Sequence, residues 1–400
     1  MINSKTEPLV KKPPLIELLM AMSLAAIMAV LYTPALPRLT TDFDVSKSSM
    51  QFTVTIFLLG YSLGPLIYGP LANRFGRRSV LLTALGLAVV SNVVCLTSIY
   101  SHDFTLLLIG RFFLALGASA GLSVVMTMIG DRYEKVQTRK LMAWANLAFA
   151  LAPGLGVMIG GILEHQYKTH SVFYFSLFYS IVVWVITMRL EETLPHTKRS
   201  NLQFSTIRTG YVLQLKKPLT LICGTLMGCS TAITYIYSAE APFVGITVMK
   251  LSAQDYGLWN LVPYLGMAIG SIVSMRIAHT TSLQKALSIG TVLVTCGAIA
   301  MLVSFAMNWL TIISLFIVQA ICSSGLALIS SNSSAVAMTN SDNKAVTSSV
   351  LNTLNIGLAF FMVLILNSVA GIKSLSMPIL YLVLVCVIIS CIYLLRGRDK

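Results

Sequence analysis

Acid is what this sequence has little of. Asp and Glu number 14 against 28 Lys and Arg, and charged residues are only 10% of the 400-residue chain. About 25% is usual for a soluble domain. With 56% of residues hydrophobic, a soluble fold of this size could not hide its apolar surface, so a bilayer is the expected solvent. The apolar runs are long and continuous, without period-two alternation, which disfavours a transmembrane β-barrel. The seven cysteines lie inside those runs without a CxxC, so they read as small packing residues, not disulfides or metal ligands. The five histidines fall in loops and form no metal-ligand cluster, and no GxxxxGK[ST] loop offers ATP drive. Despite the net charge of +14, no basic stripe interleaves with stacking aromatics, so nucleic acid is not an expected partner. No segment outside the apolar runs is large enough for soluble catalysis, so neither an enzyme nor a cofactor is expected.

What is present is a series of apolar runs of membrane-crossing length. Twelve spans are expected near 15–37, 49–72, 79–99, 104–129, 141–163, 171–190, 219–245, 255–275, 286–306, 310–338, 345–370 and 378–395. The N-terminus lacks a clear small-residue cleavage site, so its apolar run reads as a retained first helix. With this count, only Arg38, Lys47, Lys168, Lys250 and Lys373 fall on one side, and Arg111 falls inside a span. The other basic residues share the side of the termini, which the positive-inside rule makes cytoplasmic. The expected organisation is 1–190 and 219–400 as two six-helix halves. A cytoplasmic linker over 191–218, "EETLPHTKRSNLQFSTIRTGYVLQLKKP", joins them and is a place for a short amphipathic surface helix. Faint internal similarity places Gly64 on Gly266 and Arg74 on Arg276 at one offset, and Gly117 on Gly325 at another. Two parallel repeats, as in alternating-access transporters, fit that pattern.

Between the second and third spans lies "GPLANRFGRR", residues 69–78. Gly69 and Gly76 permit a tight reversal and close backbone approach. Arg74, Arg77 and Arg78 can cap helix C-termini or pair with acids and lipid phosphates; a plainer reading is that they only satisfy the positive-inside rule. Small-residue pairs of GxxxG type, Gly60/Gly64, Gly117/Gly121 and Gly156/Gly160, permit close helix contact in lipid. The Pro153-Gly154 step frees backbone groups and permits a bend.

The stretch 69–78 resembles the loop motif of the major facilitator superfamily. "YTPALPRLTTDF" at 32–43, "IGRFFLALGASAG" at 109–121, "LAPGLGVMIGG" at 151–161 and "SAEAPFV" at 238–244 resemble, in order, the first-helix exit, fourth helix, helix-five antiporter motif and seventh-helix exit of its drug:proton antiporter branch. They point to the Bcr/CflA-type drug resistance transporters. The resemblance implies an all-α membrane protein of twelve helices in two halves. It also implies a multi-pass location in the bacterial inner membrane, a proton gradient as drive, and small-molecule substrate, protons and lipids as partners; a monomer is expected. Three positions depart from the family pattern. Val30 stands where the first helix usually carries an aspartate, and Leu114 where the fourth helix carries a glutamine. Asn73 likewise replaces an acid; it can still accept hydrogen bonds from helix-end amides but supplies no charge.

Arg111 is expected roughly 10 Å deep in the fourth span. A cation there either lines a polar cavity and acts on substrate or proton, as the family's arginine does, or snorkels or pins two helices. Glu240, among Tyr235, Tyr237 and Pro242, is a candidate proton carrier or a surface glutamate at a helix end. Asn146, Gln319 and Asn355 are polar residues in apolar runs, and with Tyr32, Tyr235 and Tyr264 they are candidate lining residues or inter-helix hydrogen bonders. A positive cavity without the first-helix acid favours neutral or anionic amphiphiles. The expected function is export of small drug-like or metabolite molecules by proton antiport. The alternatives are an importer or facilitator of a nutrient or siderophore, or a siderophore exporter.

Overall fold

The structure is a computed structural model that describes residues 14–132, 135–195, 197, 199, 204–277, 280–341, 344–369 and 375–396. Its helices are α1 Leu15–Val30, α2 Leu36–Asp42, α3 Lys47–Phe75, α4 Arg77–Ser101, α5 Phe104–Arg132, α6 Lys135–Tyr167 and α7 Thr169–Thr187. After the linker helix α8 Phe204–Leu215 come α9 Pro218–Pro242, α10 Ala253–Trp259, α11 Leu261–Ile277, α12 Leu283–Ala306, α13 Val318–Thr339, α14 Lys344–Val369 and α15 Ser376–Arg396. Among the described residues eleven helical segments are long and apolar enough to cross a membrane. The 33-residue α6 takes the remaining place in a twelve-span fold. Exposed side chains along these helices are largely apolar, among them Val90, Phe178, Ile269, Val292 and Phe361, as lipid-facing surface requires.

Local sequence sets the breaks. The first span is two helices: α1 stops at Val30, a 3-10 turn covers Thr33–Ala35, and Pro34 and Pro37 start the path into α2. Proline lacks the amide that would continue the helix behind it. Gly76, at φ 101°, ends α3 and begins α4, a conformation open to glycine at little cost. The Ser46, Ser252 and Ser282 side chains accept amides at the starts of α3, α10 and α12. A π-helical turn, Phe243–Val248, extends α9, and another, Ile313–Ile317, leads into α13.

The two sets of six spans share one packing plan. A Cβ on Gly60 or Gly64 would overlap α5 at the Phe112 carbonyl or Ser119. One on Gly266 or Gly270 would overlap the α13 backbone at Ala320 or Ser324. Gly117 lies on the α4 backbone at Ala84 and Ala88, as Gly325 lies on Gly290 of α12. The glycines matched by the faint repeat therefore lie between corresponding helix pairs, Gly117, Gly266 and Gly325 against backbone and Gly64 against the Ser119 side chain. Between the sets, α3 runs beside α14, and α6 beside α10 and α11. The loop at Gly76, α8 and the start of α9 mark the linker end; the end of α9 and the start of α3 mark the far end.

Candidate functional site

Arg111 is 3% exposed, in the interior of the first six spans. Its Nη1 donates to the Met28 carbonyl at 2.8 Å and its Nη2 to that of Ala29 at 3.4 Å. Both carbonyls belong to the last turn of α1, where the helix ends before amides can reach them. The guanidinium lies over the rings of Tyr32, 3.9 Å from its centroid, and Phe57, at 4.3 Å. Tyr32 in turn hydrogen-bonds Thr53 of α3 at 2.7 Å. Arg111 thus joins α5 to the broken end of α1 by helix capping and ring stacking. Among the described residues no carboxylate lies within ion-pair distance of it. Val30 and Leu114 are buried close by, and Leu114 lines, with Arg111, Asn92, Cys95 and Ser176, a small cavity with room for about one water.

A second group surrounds the seam between the halves. Tyr235 lies within electrostatic reach of Tyr61, Tyr264 and Arg111, and Tyr237 within that of Tyr256, Tyr264 and Tyr381. The Tyr264 ring rests on α6 at Gly154, where a Cβ would overlap it. Helix α6 continues through Pro153 and Gly154, so this step supplies a seat for an aromatic ring from the other half. Gln319 is buried and accepts from Tyr381 at 2.9 Å. The Tyr61, Tyr237 and Tyr256 hydroxyls and the Asn355 Oδ1 are buried without a protein partner. Such groups are uncommon in folded proteins. The Asn146 side chain lies outside the described residues.

Glu240, 2% exposed, ends not at a free surface but in a cross-half contact. Its Oε1 lies 2.5 Å from Lys47 Nζ, and its Oε2 accepts from Gln51 Nε2 at 2.6 Å. Nothing in the sequence pairs residues so far apart.

At the linker end, Asn73 does not meet the amides of a helix start. Its Oδ1 accepts from Arg77 Nη1 at 2.5 Å, and Arg77 Nε donates to Asp131 of α5 at 3.3 Å. The start of α4 is taken instead by Glu192 of the linker. Its carboxylate accepts from the amides of Arg77 at 2.9 Å, Arg78 at 3.3 Å and Leu194 at 3.0 Å. Arg78 donates to the Met188 carbonyl at 2.8 Å. Gly76 leaves the room that Glu192 occupies, since a Cβ there would overlap the carboxylate. Arg74 is exposed on the last turn of α3, and Gly69 faces Ser349 of α14. Sequence reasoning missed Glu192 and Asp131; the signal available was an acid directly after the sixth span and another at the end of the fourth.

The family model of the Major Facilitator Superfamily matches residues 18–363. An uncharacterized transporter of Rickettsia felis is 30% identical over 286 residues, 70% of this chain and 67% of that protein. The bicyclomycin resistance protein homolog of Haemophilus influenzae is 26% identical over 267 residues, 65% of this chain and 66% of that protein. In fold, the crystal structure of a D-xylose-proton symporter superposes with a TM-score of 0.78 at 13% identity, covering 95% of both chains.

Proposed function

The chain belongs to the major facilitator superfamily, and from that premise we propose that it exports small amphiphilic molecules by proton antiport. The halves 1–190 and 219–400 rock about the seam in alternating access, with 191–218 as their tether. The basic linker end faces the cytoplasm, since the loops there hold Arg74, Arg77 and Arg78. A bicyclomycin resistance homolog among the relatives supports the substrate class. The antiporter-like "LAPGLGVMIGG" of α6 supports the direction.

One observation carries the selectivity. Arg111 is a buried cation without a carboxylate neighbour among the described residues, and the acid expected on α1 is Val30. Glu240 is already matched by Lys47. The surroundings of Arg111 are therefore positive, and they favour neutral or anionic amphiphiles over cations. The tyrosine hydroxyls at the seam add hydrogen-bonding groups and apolar area for such a molecule. The test is flux in proteoliposomes under an imposed pH gradient, with cationic, neutral and anionic amphiphiles compared. The gradient should accelerate neutral or anionic flux. Flux indifferent to the gradient refutes proton antiport, and preferred cation transport that survives Arg111→Met refutes the selectivity.

A further inference from the structure

Lys47 is the first residue of α3. A cation there opposes the positive end of its own helix dipole. Glu240 lies inside the protein, where an isolated carboxylate would be costly. Neither charge serves its own helix, and each is matched by the other across the seam between the two halves. Lys47 also lies 5.2 Å from the Phe243 ring centroid, at the start of the π-helical turn that prolongs α9. Gln51, one turn along α3 from Lys47, is fully buried. Its amide donates both to the Ala239 carbonyl, at 3.1 Å, and to the Glu240 carboxylate. It holds the carboxylate toward Lys47 and ties the α9 backbone to α3.

We propose that Lys47, Gln51 and Glu240 form the latch that closes the mouth of the transporter at the far end, with Gln51 as the positioning residue. The proposal rests on the alternating-access reading. When the halves separate there, the lysine and the carboxylate each return to water. The hydration they regain offsets the pairing they lose, so the contact can be both specific and reversible. A further far-end seam contact among the described residues, Asn367 Nδ2 to Thr55 Oγ1 at 2.7 Å, is neutral and joins α14 to α3.

The test uses the full chain in lipid nanodiscs, with the exposed native thiols Cys296 and Cys386 replaced by alanine. Spin labels are placed at Thr41 and Thr247, exposed positions on opposite halves at the far end. Pulsed electron resonance reads their separation. The parent should be mostly in a short-distance population. Glu240→Gln and Lys47→Gln should each lower the ratio of short to long populations by at least about fivefold, the lower range of conformational coupling. The exchange Lys47→Glu with Glu240→Lys should recover most of it, and Gln51→Leu should lose part. Unchanged distances in both single variants overturn the latch, whatever transport does. If Glu240→Gln fails to fold, the partly exposed Lys47→Gln decides alone. Shifted distances in a protein that moves no substrate leave the latch standing and sink the transport reading instead.

Discussion

Removing the Glu192 carboxylate should loosen the joint between α3 and α4 by an amount the structure allows to be worked out. Two of its acceptor contacts are to the first amides of α4, so Glu192→Ala removes the cap of that helix. Cap loss typically costs about 1 kcal/mol, with a range of about 0.5–2. The lost charge at a helix N-terminus adds about 0.3–1 kcal/mol. Arg199 at 3.9 Å adds little, since both side chains are partly hydrated. The total is about 2 kcal/mol, which at about 1.2 °C per kcal/mol for 400 residues corresponds to a melting shift of about 2–3 °C. Asn73→Asp offers a route to recovery. It would turn the neutral acceptor on Arg77 Nη1 into a charged one, raising that bond from about 1 to about 1.5–3 kcal/mol. Thermal unfolding of the four proteins of this double-mutant cycle in detergent, followed by tryptophan fluorescence, measures both terms. Asn73→Asp should restore about half the loss, and 0.5 M salt should shrink it by screening the charge. A Glu192→Ala variant that melts with the parent would refute the cap, and an Asn73→Asp change that raises the melting temperature of neither the parent nor Glu192→Ala would refute the strengthened bond to Arg77.

Gly64→Val should abolish folded yield in membranes, because its side chain meets α5 at Ser119, and Gly266→Val should do the same through Ala320 of α13. Size-exclusion recovery after solubilisation checks both. Tyr381→Phe leaves the buried Gln319 Oε1 without its donor and should cost about 1–3 kcal/mol, read as a lower melting temperature. Tyr61→Phe removes a hydroxyl with no protein partner, so it should leave the melting temperature unchanged and weaken substrate binding in an equilibrium binding assay. Arg111→Lys should retain selection against cations while melting lower than the parent, since one ammonium cannot serve two carbonyls and two rings together.

Spans, their number and their small-residue contacts were legible because they depend on composition and periodicity over twenty residues. The repeat glycines fell into corresponding contacts because close helix approach in lipid leaves few other choices. The break after Val30 was less legible: a span was expected from 15 to 37, and the proline-directed turn carries the path on to Asp42. The side-chain pairings were not legible. Glu192 reaches α4 from a linker, and Lys47 meets Glu240 from the opposite half of the chain. Neither distance in sequence nor hydrophobic pattern encodes such meetings. Asn73 shows the same limit in reverse: its letter departs from the family motif, while the charge it lacks is supplied by another segment.

The glycine clamps have a consequence for how this protein can change over generations. They fix each bundle through close helix contacts at Gly60, Gly64, Gly117, Gly266, Gly270 and Gly325, and none of these faces the tyrosines of the seam. Construction and cargo choice are therefore written in separate letters. On the proposed reading of the seam, Tyr61 and Tyr235 can drift with the chemistry of the surroundings while the scaffold stays fixed, so a lineage can trade one cargo for another without first learning to fold again.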